Sequence, residues 1–275
     1  MSFLEDEFGD IIRKARVGLG LSREQVAEDV GVSPQVIAAF EAYERSPSQA
    51  ESDAIAARLR LNAKALWDVA CGAYSPRRMT APLGLEILSF TFPGMDSKGY
   101  ALRWKDSGVT LFVDPGGDAG EIVQALDERN WTLDAILVTH GHSDHVAGLE
   151  GVRERFPVPV YASRHEWKGD GLVDVSDKGS VEIRGVVVQV IHCPGHTPHG
   201  VTFAAGGVAA VGDTLFAGSL GGPYQGPAYY GKLLESAAKI LSLPDDTVLL
   251  PGHGPATTVA AEKVHNAFMA GRTPA

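Results

Sequence analysis

Ala135-Ile136-Leu137-Val138 runs directly into Thr139-His140-Gly141-His142-Ser143-Asp144-His145. Three histidines and one aspartate fall within six residues, immediately behind an apolar run that reads as a buried strand. The strand end delivers His140, and a tight turn at Gly141 aims His142 at the same spot. Asp144 and His145 then sit at the start of the next helix. Imidazole and carboxylate are the donors a zinc ion takes at about 2.0–2.2 Å. One ion cannot easily use four donors from so short a loop, whereas two ions can.

Three further stretches repeat the arrangement. VQVIHCPGHT carries His196, VAAVGDTLF carries Asp213, and TVLLPGHGP carries His253. In each, a β-run leads to a glycine and then to a donor. Glycine lets the backbone approach an ion closely, and sites in such sheets gather where strands end. A lone histidine after a strand is ordinarily structural, but seven donors in four strand-end turns outweigh that reading. His165, His192 and His265 lack this context and read as structural or surface residues. His199, just after His196, reads as a border of the pocket.

Around these turns, strands alternate with helices. The pattern predicts strands over 85–90, 100–104, 109–113, 135–139, 159–162, 186–191, 201–205, 208–211 and 247–250, and helices over 118–129, 229–241 and 260–269. Many β-runs with a few long helices predict an α+β fold of two packed sheets with helices outside.

The first 75 residues differ in character. Phe8, Ile11, Ile12, Ala15 and Leu19 recur at helical spacing. Ser22 with Gln25 three residues on is a capping-box pattern, and Gly31 ends that helix. Ser33-Pro34 restarts the chain as N-cap and first helical residue. Two short helices joined at Gly31 form a helix-turn-helix pattern, and AYSPRRMTAPLG reads as a linker. The expected organisation is a helical domain over 1–72, a linker over 73–84 and a metal-binding domain over 85–275.

Composition bounds the rest. The chain has 44% apolar residues and a net charge of −10, so a generally basic surface for nucleic acid is absent. No apolar run reaches membrane-span length. The acidic N-terminus MSFLEDEFGD lacks the features of a secretory signal, and two cysteines are too few for a disulfide framework, so the expected address is cytoplasmic with no membrane partner.

The motifs THGHSDH, CPGHT, GDTLFAGS and LPGHGPATT, spread over residues 85–268, resemble the metallo-β-lactamase superfamily, in particular its glyoxalase II-like branch. The resemblance implies an αββα sandwich with the site at one edge of the sheets. It assigns His140, His142 and His196 to one metal, Asp144, His145 and His253 to a second, and Asp213 to a bridge. Two Zn²⁺ per chain are implied, with Fe²⁺ or Mn²⁺ as other candidates. Two such ions some 3.5–4 Å apart lower the pKa of a shared water toward about 7. The resulting hydroxide would attack the carbonyl carbon of a small thioester, ester or lactone. A thiolate with a pKa near 8.5 leaves unaided. An alkoxide needs a proton donor, for which Asp144 is the catalytic candidate.

The chain also departs from that branch. Gly222-Pro223-Tyr224 stands where relatives commonly carry Arg-Thr-Asp, and Tyr224, Tyr229 and Tyr230 populate a Gly/Pro-rich loop. Tyr224, with Tyr100 and His199, is therefore a substrate-binding candidate. True glyoxalase II enzymes carry a further C-terminal helical region that holds glutathione, and the sequence shows none after its last helix, which weakens the case for S-lactoylglutathione. A second reading is a persulfide dioxygenase, in which one Fe(II) is held by His140, His196 and Asp213.

Residues 8–69 resemble the DNA-binding domain of lambda-repressor-like (Cro/C1, XRE-type) regulators. Arg13, Arg16, the GLS-x-x-x-VA run, Gly31-Val32-Ser33, Glu41 and Pro47 carry that likeness. By resemblance Gln35 would reach adenine, and Arg23 and Arg45 would touch phosphates. A ligand-responsive DNA-binding regulator is thus a third reading. Against it, residues 33–44 hold no Lys or Arg, and residues 1–75 hold 8 Lys/Arg against 12 Asp/Glu, a net of −4. The alternative is a module for homodimerisation or for covering the larger domain.

Overall fold

The computed structural model describes residues 4–223 and 226–271. Its leading helices are α1 (Phe8–Gly18), α2 (Arg23–Val30), α3 (Pro34–Glu41), α4 (Gln49–Leu59) and α5 (Ala63–Ala70). The Ser22–Gln25 capping box forms in both directions, and α2 ends on Gly31 at φ 74°, the left-handed conformation glycine tolerates. Helix α4 starts at residue 49 because Ser48 and Glu51 form a further capping box. The carboxylate of Glu41, at the end of α3, is buried and accepts from Arg16 (2.6 and 2.9 Å) and Arg23 (2.7 Å).

After residue 72 the chain runs without helix or strand to β1. Strands β1 (Leu85–Thr91), β2 (Lys98–Trp104), β3 (Thr110–Val113), β4 (Ala135–Leu137), β5 (Val160–Ala162) and β6 (Leu172–Asp174) form one sheet in that order. Helices α6 (Ala119–Asp127), α7 (Ser143–Val146) and α8 (Leu149–Arg155) interrupt it. The second sheet is built from β7 (Ser180–Ile183), β8 (Val186–His192), β9 (Val201–Ala205), β10 (Val208–Gly212), β13 (Val248–Pro251) and β14 (Thr257–Thr258), in the order β14-β13-β10-β9-β8-β7. Between β10 and β13 lie the small pair β11 (Leu215–Phe216) and β12 (Ser219–Leu220) and helix α9 (Pro227–Ile240); α10 (Val259–His265) follows β14. The apolar pattern had placed the last helix through 269. It stops at His265 because Asn266 turns extended (ψ 120°) and its amide donates to Ser219 O at 2.8 Å. Strands β6, β7, β11, β12 and β14 have no predicted counterpart: the first two are only partly apolar, and the last three are two residues each.

Period-2 alternation explains the layering. Leu111 and Val113 of β3 point into the space between the sheets, with Val208 and Ala210 of β10 and Val248 and Leu250 of β13. Phe112 and Ile136 face outward under α6 and α8. Ala209, Val211 and Leu249 face the other way, under α9. The result is the expected αββα sandwich. The outermost apolar cluster is continuous with the leading bundle: Ile11, Ile12, Phe40, Ile55 and Leu66 share it with Leu233, Ile240 and Phe268. Tyr74 is buried as well, its hydroxyl donating to Glu262 Oε1 at 3.0 Å. No helix among the described residues is long and apolar enough to cross a membrane.

Candidate metal centre

The four strand-end turns converge on one spot. His140 leaves β4, His142 is the N-cap of α7, and Asp144 and His145 lie in its single turn. His196 follows β8, Asp213 follows β10, and His253 follows β13. Among the described residues the donor atoms form three groups, each with its atoms within 4.8 Å of one another: His140–His142–His196, Asp144–His145–His253 and the fully buried Asp114–His140–His145, which shares a histidine with each of the other two. His142 Nδ1 lies 3.1 Å from His140 Nε2 and 3.0 Å from His196 Nε2. Asp213 stands between the first two groups. Its Oδ1 is 3.4 Å from His145 Nε2, and its Oδ2 is 3.5 Å from His196 Nε2 and 3.6 Å from His253 Nε2. Gly252 makes that position available: a Cβ there would lie 2.1 Å from Asp213 Oδ1 and 2.6 Å from the His145 ring. His142 is exposed and Asp144 and His253 are half-buried, so the cluster opens to solvent on that side.

Two residues that the sequence reading missed organise these donors. Asp114, just after β3, accepts from the backbone and hydroxyl of Thr139 (2.8 and 2.7 Å) and faces His145 Nδ1 at 3.1 Å. Its signal was legible, since LFVDPGG is another strand end followed by a donor and glycines. Glu166 joins the two histidine loops, accepting from Gly141 N at 3.1 Å, Thr197 Oγ1 at 2.7 Å and His199 N at 2.9 Å. It sits in an irregular segment with no local motif.

The electrostatics follow from burial and carboxylates. Burial, reinforced by the neighbouring imidazoles, holds His140 well below the usual histidine range. Burial likewise lowers His196, with Asp213 opposing it. For His145 burial works against the proton, but the hydrogen bond to Asp114 and the charges of Asp213 and Asp144 outweigh it and carry the ring up to about 9. Asp144 is held at about 2, first by its hydrogen bond from His253, against the effect of burial. The carboxylates thus draw positive charge into this spot. Buried His145 Nε2 and Asp213 Oδ1 have no hydrogen-bond partner, though both point at the same place. Buried polar atoms rarely stay unpaired unless an ion or water uses them. The donor set and these atoms fit metal cations.

The remaining candidates are placed as follows. His199 is exposed and stacks on His165 with ring centroids 4.3 Å apart. Tyr100 is buried, its hydroxyl donating to Pro251 O at 2.7 Å, and it lines a cavity of about 700 Å³ with Met79, Ile87 and Leu250, whose lining includes none of the seven candidate donors. Tyr224 lies outside the described residues. Tyr230 is buried against α1, while Tyr229 is half-buried. Gln35 is exposed on α3; Arg23 pairs with Glu41, and Arg45 pairs with Glu51 at 2.6 Å.

A family model described as the Metallo-beta-lactamase superfamily matches residues 100–253, more than half of the chain. The chain belongs to the metallo-β-lactamase superfamily. A helix-turn-helix family matches residues 12–66, so this superfamily member carries a helix-turn-helix domain ahead of its sandwich. It is similar to the probable metallo-hydrolase YqgX of Bacillus subtilis, 34% identical over 186 residues, which are 58% of this chain and 87% of the relative. It is also similar to the hydroxyacylglutathione hydrolase GloC of Haemophilus influenzae, 31% identical over 62% of this chain and 91% of the relative. Among solved structures, TTHA1623 in a di-iron-bound form is 29% identical with a TM-score of 0.53, covering 66% of this chain and 99% of that one. The superfamily member described here is thus a metallo-hydrolase related to glyoxalase II enzymes.

Proposed function

We propose that this chain hydrolyses a small acyl substrate, with a thioester ahead of an ester or lactone, at a binuclear metal centre. The observation that carries this reading is the pair of three-donor groups with one carboxylate, Asp213, between them. His140, His142 and His196 would hold one ion, Asp144, His145 and His253 the other, and Asp213 both. Bound there, such ions would supply an acidified water and polarise a carbonyl. Zinc suits the donors, and the di-iron form of a related structure makes iron the competing occupant.

The chain's own residues favour the thioester. Asp144 is held ionised at about 2, so at neutral pH its carboxylate carries no proton to give a leaving group and serves as a hydrogen-bond acceptor that would orient a water. A thiolate needs no such donor. Asp114 and Thr139 hold the His145 and His140 rings, which keeps the donors in place as charge develops. The exposed His165–His199 stack lies beside Glu166, and we assign it to the mouth where substrate enters.

Elemental analysis of the purified protein, followed by a screen of thioesters, esters and lactones, tests this. About two zinc ions per chain and turnover of a thioester are expected. One iron per chain without hydrolysis would instead favour a persulfide dioxygenase on His140, His196 and Asp213. A chain that takes up no metal would sink both readings.

For the helical domain we propose a structural role in place of DNA reading. Arg23 and Arg45, which would touch phosphates, are already paired within the domain. The domain's apolar face is used against the sandwich. In a gel-shift of genomic fragments at low salt, no DNA is expected to be retained, because basic contacts dominate such binding. Retention that weakens with added salt would overturn this.

A further inference from the structure

Histidines that bind a metal through one ring nitrogen donate the other N–H to an acceptor, which fixes tautomer and orientation. Three of the four histidines that turn Nε2 toward the centre have their Nδ1 faced by a partner. His140 faces Thr139 Oγ1, His145 faces Asp114 Oδ2, and His196 faces Gly222 O, each at 3.1 Å. The fourth is His253. Its Nε2 lies 3.2 Å from Asp144 Oδ2, and its Nδ1 is buried without a hydrogen bond. The carboxylate facing that nitrogen belongs to Glu5, with Oε1 at 3.8 Å. Glu5 comes from the segment that leads into α1, far outside the stretch 100–253 that matches the superfamily.

The neighbours of Glu5 hold it there. Gly254 runs against it so closely that a Cβ would lie 2.9 Å from the Glu5 Cβ. The next residue, Asp6, is buried and accepts from Lys14 Nζ at 2.6 Å and from the Ser219 hydroxyl. Lys14, on α1, also donates to Leu220 O at 2.8 Å and lies over the Phe216 ring, which itself packs beside His253. A buried ion pair from the helical domain therefore clamps the loop that follows Asp213 and sets Glu5 behind His253.

We propose that Glu5 is the positioning residue of His253: its carboxylate accepts the Nδ1–H, so that Nε2 is presented to the metal. The helical domain then completes the centre. A shift of about 1 Å brings the pair to hydrogen-bond length. This inference rests on the reading of His253 as a metal ligand.

The test is zinc titration of the full chain against a chromophoric chelator, comparing wild type, Glu5→Ala, Glu5→Gln and His253→Ala. Glu5→Ala is expected to weaken one of two sites about 10–100-fold. That site should be the one His253→Ala abolishes, with the other unchanged. Glu5→Gln keeps an acceptor and is expected to recover part of the loss. It also decides the matter if the alanine variant does not fold. Selective loss at one site separates positioning from a general loss of structure, which would move both. Wild-type affinity at both sites in the Glu5 variants overturns the inference alone. A wild-type chain that binds no zinc overturns the metal-centre reading and this inference with it.

Discussion

Asp213→Ala is expected to empty both halves of the centre and to reduce hydrolysis by about 10³-fold, the rate equivalent of several kcal/mol of lost transition-state stabilisation. Asp213 is the carboxylate that reaches both donor groups, through Oδ1 to His145 and through Oδ2 to His196 and His253. Removing it also leaves three imidazoles crowded together without its charge. The loss should exceed that of His142→Ala, since His142 is exposed and belongs to one group. Elemental analysis beside kcat/KM for the best thioester checks this. A variant that keeps two ions and wild-type turnover would refute a bridging role.

Glu262→Ala is expected to cost about 3 kcal/mol of stability, because buried donors left unpaired cost about 1–3 kcal/mol each. Glu262 is fully buried on α10, and its carboxylate accepts from Tyr74, Thr257, Gly218 N and the Asn266 amide. The two hydroxyls can turn to other acceptors, but the Gly218 N–H and the amide are fixed. Since about 1 kcal/mol shifts Tm by 2–4 °C in proteins near this size, the fall should be about 9 °C. Burial pushes this carboxyl above the usual carboxylate range, its four hydrogen bonds notwithstanding. A folded value above the unfolded one means that the group's stabilisation is fully present below the unfolded value and is lost as pH rises through the folded one. The alanine variant should therefore lose less stability on going from acid to neutral pH than wild type does. Thermal unfolding across that range measures both effects. A wild-type Tm would show that the junction of Tyr74, the β11–β12 loop and α10 is held by apolar packing alone.

The two donor groups and the junction were not equally legible. Five of the seven candidate donors, His140, His142, His196, Asp213 and His253, stand beside a glycine just past an apolar run, and Asp144 and His145 follow in the same loop as the first two, so chain-local chemistry announces them. Asp114 obeys the same rule and was overlooked, since one aspartate before Pro-Gly also reads as an ordinary turn. Glu166 and Glu262 carry no such mark. The first sits in an irregular segment and the second on a helix.

Sequence by itself determined the two-part organisation, the capped helices around Gly31, most of the sandwich strands and the seven side chains that gather at the strand ends, because period, caps and strand-end turns depend on residues within a few positions of one another. Tertiary structure alone decided which group backs each imidazole and that the bundle shares a core with the sandwich. Those outcomes join residues far apart in the chain, such as Glu5 with His253 and Tyr74 with Glu262. Their pairing is set by how apolar faces stack, and no local pattern records it.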